Sequence, residues 1–301
     1  MEAGVRKNRY KRSYMSELGI LYLAFGRPYL AMALLSARSA RATNPDLPIR
    51  IVTNVTDRAP AARFWDPERD EVVYASVDTA KNRDVKTRAN QYSPFVKTVL
   101  LDCDTVVLGD LSPARELLRY FDVALRLKRE PQRRKGKGDC VVLNGLHVEE
   151  LPHWNSGVIL FRSSPEVDVF FRDWNRCFRA MGSGFDQVSL VEAVFTTEAR
   201  VLSLEDRWNA TDPGWGRQRW RRTARVFHYA TNISDALAQE VVAHDALIAN
   251  DSSKETREFL LEKRRTKRKR FGALLYPLVR ISWRLLPAVE PRKHISMGAE
   301  G

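Results

Sequence analysis

Two aspartates separated by one residue stand between two apolar runs, and this feature limits the possible fold more than any other. Residues 97–111 read KTVLLDCDTVVLGDL, with Asp102 and Asp104 at the junction. Because an unpaired buried carboxylate is costly, such acids belong at the end of a strand, where the chain meets solvent or a cation. Ligands of open α/β sheets bind at the carboxyl ends of strands. The motif therefore predicts a buried strand that ends at a ligand-binding edge.

The spacing of the two acids favours a shared cation. Residues i and i+2 of an extended chain point to the same side, so Asp102 and Asp104 can converge on one ion. Carboxylate oxygens are ligands of Mg²⁺ and Mn²⁺, which often bridge to substrate phosphates. A pair of solvated turn acids is the alternative, because Asp-x-Asp is common by chance.

The apolar stretch at residues 18–37 resembles a secretory signal peptide but is divided by Arg27 and Pro28. Its first half is a short continuous apolar run, whereas the second half has apolar residues at helical spacing. We therefore expect strand, turn and helix here rather than a signal peptide.

The remaining pattern predicts one α/β domain around a central mixed sheet. Short apolar runs predict strands at residues 20–25, 49–53, 72–74, 99–101, 106–108, 122–127, 158–161, 201–204 and 225–229. Segments of helical period predict helices at residues 29–43, 83–93, 167–181 and 186–195. We divide the chain into a basic N-terminal segment (1–16), the α/β domain (17–253) and a basic, partly apolar tail (254–301).

The tail carries most of the excess positive charge. The chain has a formal net charge of +13, and residues 254–301 contain 13 Lys/Arg against 5 Asp/Glu. Residues 271–286 are apolar with Tyr276 and Trp283, but they are shorter than the about 20 apolar residues that a membrane span needs. Basic residues beside such a stretch are typical of a helix at an anionic membrane surface. A helix packed on the core is the alternative.

The cysteines favour a reducing compartment. Cys103, Cys140 and Cys177 are odd in number and form no CxxC pair. A disulfide framework or a structural zinc site is not expected from them. With the tail, this predicts a cytoplasmic location, peripheral on the cytoplasmic face of the membrane.

Five motifs, in order, resemble those of GT-A glycosyltransferases, especially glycosyltransferase family 8, the glycogenin-like retaining enzymes. They are the Asp-Cys-Asp segment, HWNSGVILF (153–161), FDQVSL (185–190), RWNA (207–210) and VFHYA (226–230). The resemblance leaves out the tail. It implies a GT-A nucleotide-diphospho-sugar transferase fold, with a Rossmann-like central mixed sheet flanked by helices. It also implies transfer of a sugar from a nucleotide-diphosphate donor, with retention.

The resemblance assigns a metal site and a donor site. Mn²⁺ or Mg²⁺ would be held by Asp102, Asp104 and His228, and the imidazole suits Mn²⁺ better. The ion would stabilise the diphosphate as a leaving group. Donor contacts are implied for Phe25, Lys86, Asp102, Asn155, Ser156 and Gly157. Arg88 is the substitute if Lys86 is a solvated helix residue.

The same resemblance implies three catalytic residues: Asp186 and Gln187, which would flank the anomeric carbon, and Asn155, which would face the sugar. Attack from the face of the leaving phosphate and a double displacement through Asp186 both stay open. Taken alone, Asp186 and Gln187 are also a favoured helix start, because Asp is common there.

Two departures from the family pattern bear on the donor site. The family often has a Gly and then a diphosphate-clamping Lys after its His, whereas this chain reads HYATNIS from His228. Arginines of the preceding loop are the candidates to replace that cation: Arg217, Arg219, Arg221 and Arg222. Cys103 stands where the family usually has Ala.

Three other functions are considered. The basic tail and the WGRQRWRR loop suit a nucleic-acid binder, but that hypothesis leaves the metal motif unexplained. A metal-dependent nucleotidyltransferase explains the acids and not the Asn-Ser-Gly strand. A non-catalytic GT-A scaffold would fit the missing Lys. The acceptor, a glycan or a lipid-linked acceptor, is expected at the loops of residues 128–150 and 212–222.

Overall fold

The computed structural model describes residues 16–56, 65–78, 82–128, 142–143, 145–147, 150–182, 186–211 and 223–229. The predicted C-terminal tail and the four candidate loop arginines lie outside these residues. So do residues 1–15 of the N-terminal segment and most of both predicted acceptor loops.

The described chain contains eleven strands and five α-helices, which we number in chain order. The strands are β1 (Leu18–Ala24), β2 (Ile49–Thr53), β3 (Glu71–Tyr74), β4 (Lys97–Leu101), β5 (Thr105–Val107), β6 (Val123–Leu127), β7 (Val142–Leu143), β8 (Leu146–His147), β9 (Trp154–Arg162), β10 (Val201–Leu204) and β11 (Val226–His228). The helices are α1 (Arg27–Thr43), α2 (Asn82–Lys86), α3 (Ala114–Tyr120), α4 (Pro165–Ala180) and α5 (Asp186–Thr196).

Seven strands form one mixed sheet in the order β10-β6-β9-β4-β1-β2-β3. β1 pairs in parallel with β2 and β4, and β10 pairs in parallel with β6. β9 runs antiparallel to both of its neighbours, β4 and β6. The predicted α/β architecture with a central mixed sheet is therefore confirmed.

Helices cover both faces of this sheet, which explains why its central strands are apolar on both sides. On β1, Ile20 and Tyr22 share a core with α1, whereas Leu21, with Phe25 just after the strand, belongs to the core that includes α4 and α5. The second core contains the aromatic group of α4, formed by Phe170, Phe171 and Trp174. Each face thus has its own buried core.

The apolar segment near the N-terminus folds as strand, turn and helix, as predicted. Gly26 makes the turn between β1 and α1 with φ of 92° and ψ of 150°, a conformation open mainly to glycine. Its N–H donates to Oδ1 of Asn54 at 2.7 Å, which ties the turn to the end of β2. Pro28 lies in the first turn of α1, where a missing N–H costs nothing.

Several elements differ from the sequence prediction, among them β7 and β8, which were not predicted. The helix expected over 83–93 ends at Lys86 and is followed by a separate 3₁₀ turn, Ala89–Gln91. The Thr87 hydroxyl donates to the carbonyl of Asp84 at 2.7 Å, which competes with continuation of the helix. β9 is longer than the predicted 158–161, and α3 was not predicted.

Outside the main sheet, β5 and β11 form a two-stranded antiparallel ribbon. This ribbon follows directly on the Asp-Cys-Asp motif and places the chain around His228 beside it. No helix in the described ranges has the length and apolarity needed to cross a bilayer.

Candidate active site

Four elements bring polar side chains to one edge of the seven-stranded sheet. β4 runs directly into Asp102, and β6 runs into Lys128. Because β9 is antiparallel to both strands, its first residues, Asn155 and Ser156, lie at the same edge. Asp186, at the start of α5, joins them by accepting a hydrogen bond from Oγ of Ser156 at 2.6 Å. This carboxyl edge is where α/β sheets bind ligands.

Asp102, Asp104 and His228 form a cluster that suits a divalent cation. One ligand atom of each residue lies within 4.8 Å of the other two. Nε2 of His228 is 3.3 Å from Oδ1 of Asp104 and 3.9 Å from Oδ2 of Asp102. An octahedral ion with bonds of about 2.1 Å places adjacent ligands about 3 Å apart, so small movements would complete the set. Two carboxylates and one imidazole fit Mn²⁺, the ion predicted first, better than Mg²⁺.

The pairing of β11 with β5 carries His228 to the two aspartates. His228 lies opposite Thr105 in this ribbon, and the N–H of Tyr229 donates to the carbonyl of Asp104 at 3.1 Å. Burial lowers the pKa of His228, but the charges of Asp104 and Asp102 raise it by more than burial lowers it. The pKa therefore lies above its ordinary value. Without metal, the carboxylates therefore favour the protonated ring, and a bound cation would take the place of its Nε2 proton.

Lys86 is a buried cation between two of the acids. Its Nζ lies 2.6 Å from Oδ1 of Asp102 and 3.7 Å from Oδ2 of Asp186. It also donates to Oγ of Ser156 at 3.1 Å. Burial lowers the pKa of Lys86, but Asp102, Asp186 and Asp104 outweigh burial, so the pKa is raised. Lys86 is thus charged at neutral pH and holds one oxygen of Asp102 while the other faces the metal cluster.

Arg88, the substitute considered for Lys86, points elsewhere. Its Nη2 lies 2.6 Å from Oδ2 of Asp84. Of the two basic residues, the structure brings Lys86 to the candidate site.

Asp186 and Gln187 differ in their surroundings. The Asp186 side chain is buried, and the indole N–H of Trp174 donates to its main-chain carbonyl at 2.9 Å. Gln187 is half-buried, and its Oε1 accepts from Nζ of Lys128 at 3.0 Å. Because a lysine can only donate, the amide oxygen of Gln187 faces Lys128 and its NH₂ group is directed away. Burial and then Arg126 lower the pKa of Lys128.

Asn155 and Gly157 lie at the start of β9 beside His228. Oδ1 of Asn155 accepts from the N–H of Gly157 and from Nδ2 of Asn209, both at 2.8 Å. A Cβ atom on Gly157 would collide with the imidazole of His228, so the ring lies directly over the glycine. The carbonyl of Gly157 accepts from the N–H of Asp102 at 2.8 Å.

Phe25, the residue predicted near the nucleotide base, has its ring fully buried in the core. A contact with a ligand here would therefore come from the main chain at Phe25 and Gly26. Tyr29, in the first turn of α1, is half-buried. Burial raises its pKa, and the charges of Cys103, Asp104 and Asp102 add to this.

Sequence reasoning did not single out Tyr29, Lys128 or Asn209. Asn209 lies in the RWNA motif, but the motif alone gave no contact for its amide. Lys128 was included only as one end of a predicted acceptor loop. Tyr29 follows Pro28 in an apolar segment whose helical period indicates packing. Each of these residues reaches the site because the strand order brings distant segments together, and the local sequence does not reveal that order.

No protein-family model and no curated protein matches the chain. Among solved structures, the chain is similar to the apo WbbM bifunctional glycosyltransferase with a TM-score of 0.53 and 13% identity. The match covers 82% of this chain and 52% of that one, so the chain spans about half the length of WbbM.

Two further solved structures match with lower TM-scores. Mouse xyloside xylosyltransferase 1 in its apo form gives 0.48 at 14% identity, over 72% of this chain and 99% of that one. Galactosyltransferase LgtC with donor and acceptor sugar analogues gives 0.46 at 15% identity, over 80% and 99%. At these identities the similarity concerns the fold alone. The inference of the fold rests on the match to WbbM, whose TM-score is above 0.5. Together with the strand order, it shows that this chain has the GT-A fold, an α/β fold with a mixed sheet flanked by helices.

Proposed function

We propose that this chain is a metal-dependent glycosyltransferase that moves a sugar from a nucleotide-diphosphate donor to an acceptor. The observation that carries the proposal is the meeting of Asp102, Asp104 and His228 within 4.8 Å at the carboxyl edge of a GT-A sheet. Mn²⁺ or Mg²⁺ held there would neutralise the charge that develops on the diphosphate leaving group. Membership of glycosyltransferase family 8 and retention of configuration are parts of the same proposal.

The surrounding side chains supply the positioning that such a reaction needs. Lys86 adds a fixed positive charge next to Asp102, so a diphosphate entering the site would meet both Lys86 and the metal. Asn155 has both lone pairs of its amide oxygen occupied by protein donors and can offer only its NH₂ group to a sugar oxygen. The proposed donor site also includes Phe25 and Gly157, which would contact the donor through the main chain, and Ser156, whose hydroxyl is hydrogen-bonded to Lys86.

We assign the reacting face of the sugar to Asp186 and Gln187. Asp186 is buried and accepts from Ser156, so its side chain is fixed in place beside Lys86. Gln187 is fixed by Lys128 with its NH₂ group outward. This placement agrees with two mechanisms. In one, Asp186 is the nucleophile of a double displacement; in the other, the acceptor attacks from the face of the leaving phosphate and Asp186 stabilises the developing positive charge. The acceptor we propose is a glycan or a lipid-linked glycan, taken up by the loops after β6 and before β11.

The test is release of nucleoside diphosphate from a panel of nucleotide sugars by the purified full chain with Mn²⁺. Hydrolysis of the donor requires no knowledge of the acceptor. We expect one donor to be hydrolysed slowly and only in the presence of metal. Asp104→Asn and His228→Ala should each lower the rate by about 100-fold or more, because each removes a metal ligand at the leaving group.

Arg119→Ala is a control for a surface cation, since Arg119 is exposed on α3, where it pairs with Glu116 and lies over the ring of Tyr120. It should hydrolyse the donor at the parent rate. Release of nucleoside monophosphate and sugar 1-phosphate in place of nucleoside diphosphate would show attack at phosphorus, as in a nucleotidyltransferase. Failure of every donor to be hydrolysed or to raise the melting temperature would contradict the proposal.

A further inference from the structure

A chain of hydrogen bonds that begins at a main-chain N–H fixes the orientation of two buried amides. The N–H of Gly157 can only donate, so the Asn155 atom that faces it at 2.8 Å is the carbonyl oxygen. The same oxygen lies 2.8 Å from an amide atom of Asn209. Because an amide oxygen can only accept, this second atom is the NH₂ group of Asn209.

The chain continues from Asn209 to the imidazole of His228. With its NH₂ group directed to Asn155, Asn209 turns its carbonyl oxygen to Nδ1 of His228 at 3.1 Å. A carbonyl oxygen accepts and cannot donate, so Nδ1 must carry the hydrogen. In the neutral ring, the lone pair is then on Nε2, the atom that faces Asp104 and Asp102.

We propose that Asn209 is a positioning residue that holds His228 in the Nδ1–H tautomer and thereby reserves Nε2 for a divalent cation. The inference rests on the proposed metal site. A ligand imidazole commonly donates its second N–H to a protein acceptor, which fixes the ring and strengthens its lone pair. In this chain the acceptor is a neutral amide whose own direction is set by the main chain of β9.

Asn209 is well placed for this task because its surroundings leave it no freedom. Its side chain is fully buried. The turn that carries it is anchored by the ion pair between Nε of Arg126 and Oδ1 of Asp206 at 2.7 Å. The guanidinium of Arg225 lies 5.0 Å from the centre of the Trp208 ring, which fixes the preceding residue.

Gly157 lies against the Nδ1–Cε1 edge of the imidazole. The glycine supplies the N–H that begins the chain, and its lack of a Cβ gives the ring room to lie against the strand. The ring is thus oriented by an acceptor at Nδ1 and by contact of its Nδ1–Cε1 edge with Gly157. Asn155 belongs to the same network, so the residue proposed to read the sugar and the residue proposed to bind the metal share Asn209.

The first test measures the tautomer directly and needs no variant. Histidine labelled with ¹⁵N in the full chain gives ring signals for five residues, which single His→Gln variants assign. At alkaline pH without metal, where the ring is neutral, we expect His228 to show a protonated Nδ1 and a bare Nε2. A protonated Nε2 would overturn the inference whether or not the chain binds metal or acts on a sugar.

The second test measures Mn²⁺ affinity by titration calorimetry, with no substrate present. Asn209→Leu should weaken Mn²⁺ binding by about 10- to 100-fold, the usual effect of losing such a partner. Asn90→Leu is the matched control, because Asn90 is also a buried amide and donates to Asp168 away from the metal cluster.

We expect Asn90→Leu to retain the parent Mn²⁺ affinity even if it melts at a lower temperature. Equal Mn²⁺ affinity of folded Asn209→Leu and the parent would overturn the inference. If Asn209→Leu does not fold, the ¹⁵N tautomer of the parent decides the question. Absence of Mn²⁺ binding in the parent itself would count against the proposed function, and the tautomer measured without metal would still test Asn209.

Discussion

Single residues in this site are constrained by shape as well as by charge, and Gly157 is the clearest case. The imidazole of His228 occupies the space that a Cβ on Gly157 would need. We therefore predict that Gly157→Ala displaces the ring and weakens Mn²⁺ binding by at least about 10-fold, as loss of ligand orientation usually does. Titration calorimetry with Mn²⁺ checks this prediction.

Gly109→Ala is the control for this glycine. A Cβ there would meet its nearest neighbour, Cα of Arg225, at 3.4 Å, an ordinary contact distance. This variant should bind Mn²⁺ like the parent. If both alanine variants bind alike, the imidazole is not held against β9 in the way described.

Lys86 supports a second prediction, since it neutralises acids that would otherwise face one another. Lys86→Met leaves Asp102 and Asp186 without their shared cation, so the metal-free chain should lose about 2–3 kcal/mol of unfolding free energy. Mn²⁺ would restore part of this loss by supplying positive charge to Asp102. Urea unfolding with and without Mn²⁺ measures both effects.

Lys97 provides a matched comparison. Lys97 stands at the start of β4, at the opposite end of the strand from Asp102, and its side chain is similarly buried. It pairs with the exposed Glu17, which precedes β1, at 2.9 Å. Lys97→Met should cost less stability and should not respond to Mn²⁺ differently from the parent. A Mn²⁺ effect of equal size in both variants would argue against Lys86 and the metal sharing Asp102.

The site residues that could be predicted from the sequence are those whose charge is unexpected in an apolar segment. Asp102 and Asp104 interrupt apolar runs, so their place at a strand end could be predicted from the residues alone. His228 was reached only through the resemblance, and the structure brings it within 3.3 Å of Asp104. The amide network of Asn155 and Asn209 could not be predicted, because it depends on atoms from segments 54 positions apart.

Among the elements, the short helix α2 depends on an ionic contact with α4. Asp84 on α2 accepts from Nε of Arg179 at 2.7 Å and from Nδ2 of Asn175 at 3.1 Å. The pKa of Asp84 is about 2, although burial alone would raise it. The hydrogen bond from Arg179 lowers it most, and the hydrogen bond from Asn175 and the charge of Arg88 lower it further. Since Lys86 is on the same helix, this contact also positions the candidate site.

The sign of the resulting pH dependence follows from the lowered pKa. The carboxylate of Asp84 stabilises the fold above its unfolded pKa of about 4, and this contribution is lost as the pH falls towards 2. We predict that Asp84→Asn lowers the unfolding free energy by about 1 kcal/mol at pH 7, a modest value because Arg179 is exposed and water screens the pair. The difference from the parent should vanish near pH 2.

Urea unfolding at pH 7, 4 and 3 measures this difference, with Asp46→Asn as the control for an exposed aspartate. Asp46→Asn should have little effect at any pH. A constant deficit for Asp84→Asn across the whole range would contradict an ionic cause.

The elements that sequence reasoning predicted well are those with a strong apolar pattern. β1, α1 and α4 have apolar residues on the faces that the structure buries. The break after α2 was missed because it arises from a hydroxyl that bonds to a main-chain carbonyl, which no apolar pattern reveals. α3 was missed because its seven residues make only about two turns, too few for a helical apolar period to be recognised.

For the whole molecule, the predicted membrane contact of the tail stays a hypothesis of the sequence, because residues 254–301 lie outside the described ranges. Each Lys or Arg near an anionic surface contributes about 1 kcal/mol to attraction. We therefore predict that the full chain sediments with vesicles containing anionic lipid and not with purely zwitterionic vesicles, and that 0.5 M salt releases it.

A full-length variant with the seven Lys/Arg of residues 263–270 changed to Gln is the control. It should lose most of the binding to anionic vesicles. Equal sedimentation of this variant and the parent would contradict the prediction. The contact would then come from another part of the chain or from insertion of apolar residues into the lipid.

The overall fold was predictable because alternating strands and helices allow few arrangements, and the resemblance selected one of them. Sequence reasoning could not give the identity of the sugar, the base or the acceptor. Those depend on loop side chains, and loops vary independently of the core that the apolar pattern specifies.

The central claim is that Asp102, Asp104 and His228 hold a metal that binds the donor diphosphate. Crystals of the full chain grown with Mn²⁺ and a nucleoside diphosphate, measured at the manganese absorption edge, test it directly. We predict one strong anomalous peak about 2.1–2.3 Å from a carboxylate oxygen of each aspartate, from Nε2 of His228 and from diphosphate oxygens. A nucleoside diphosphate bound without manganese at these residues, or manganese bound elsewhere in the chain, would contradict the claim.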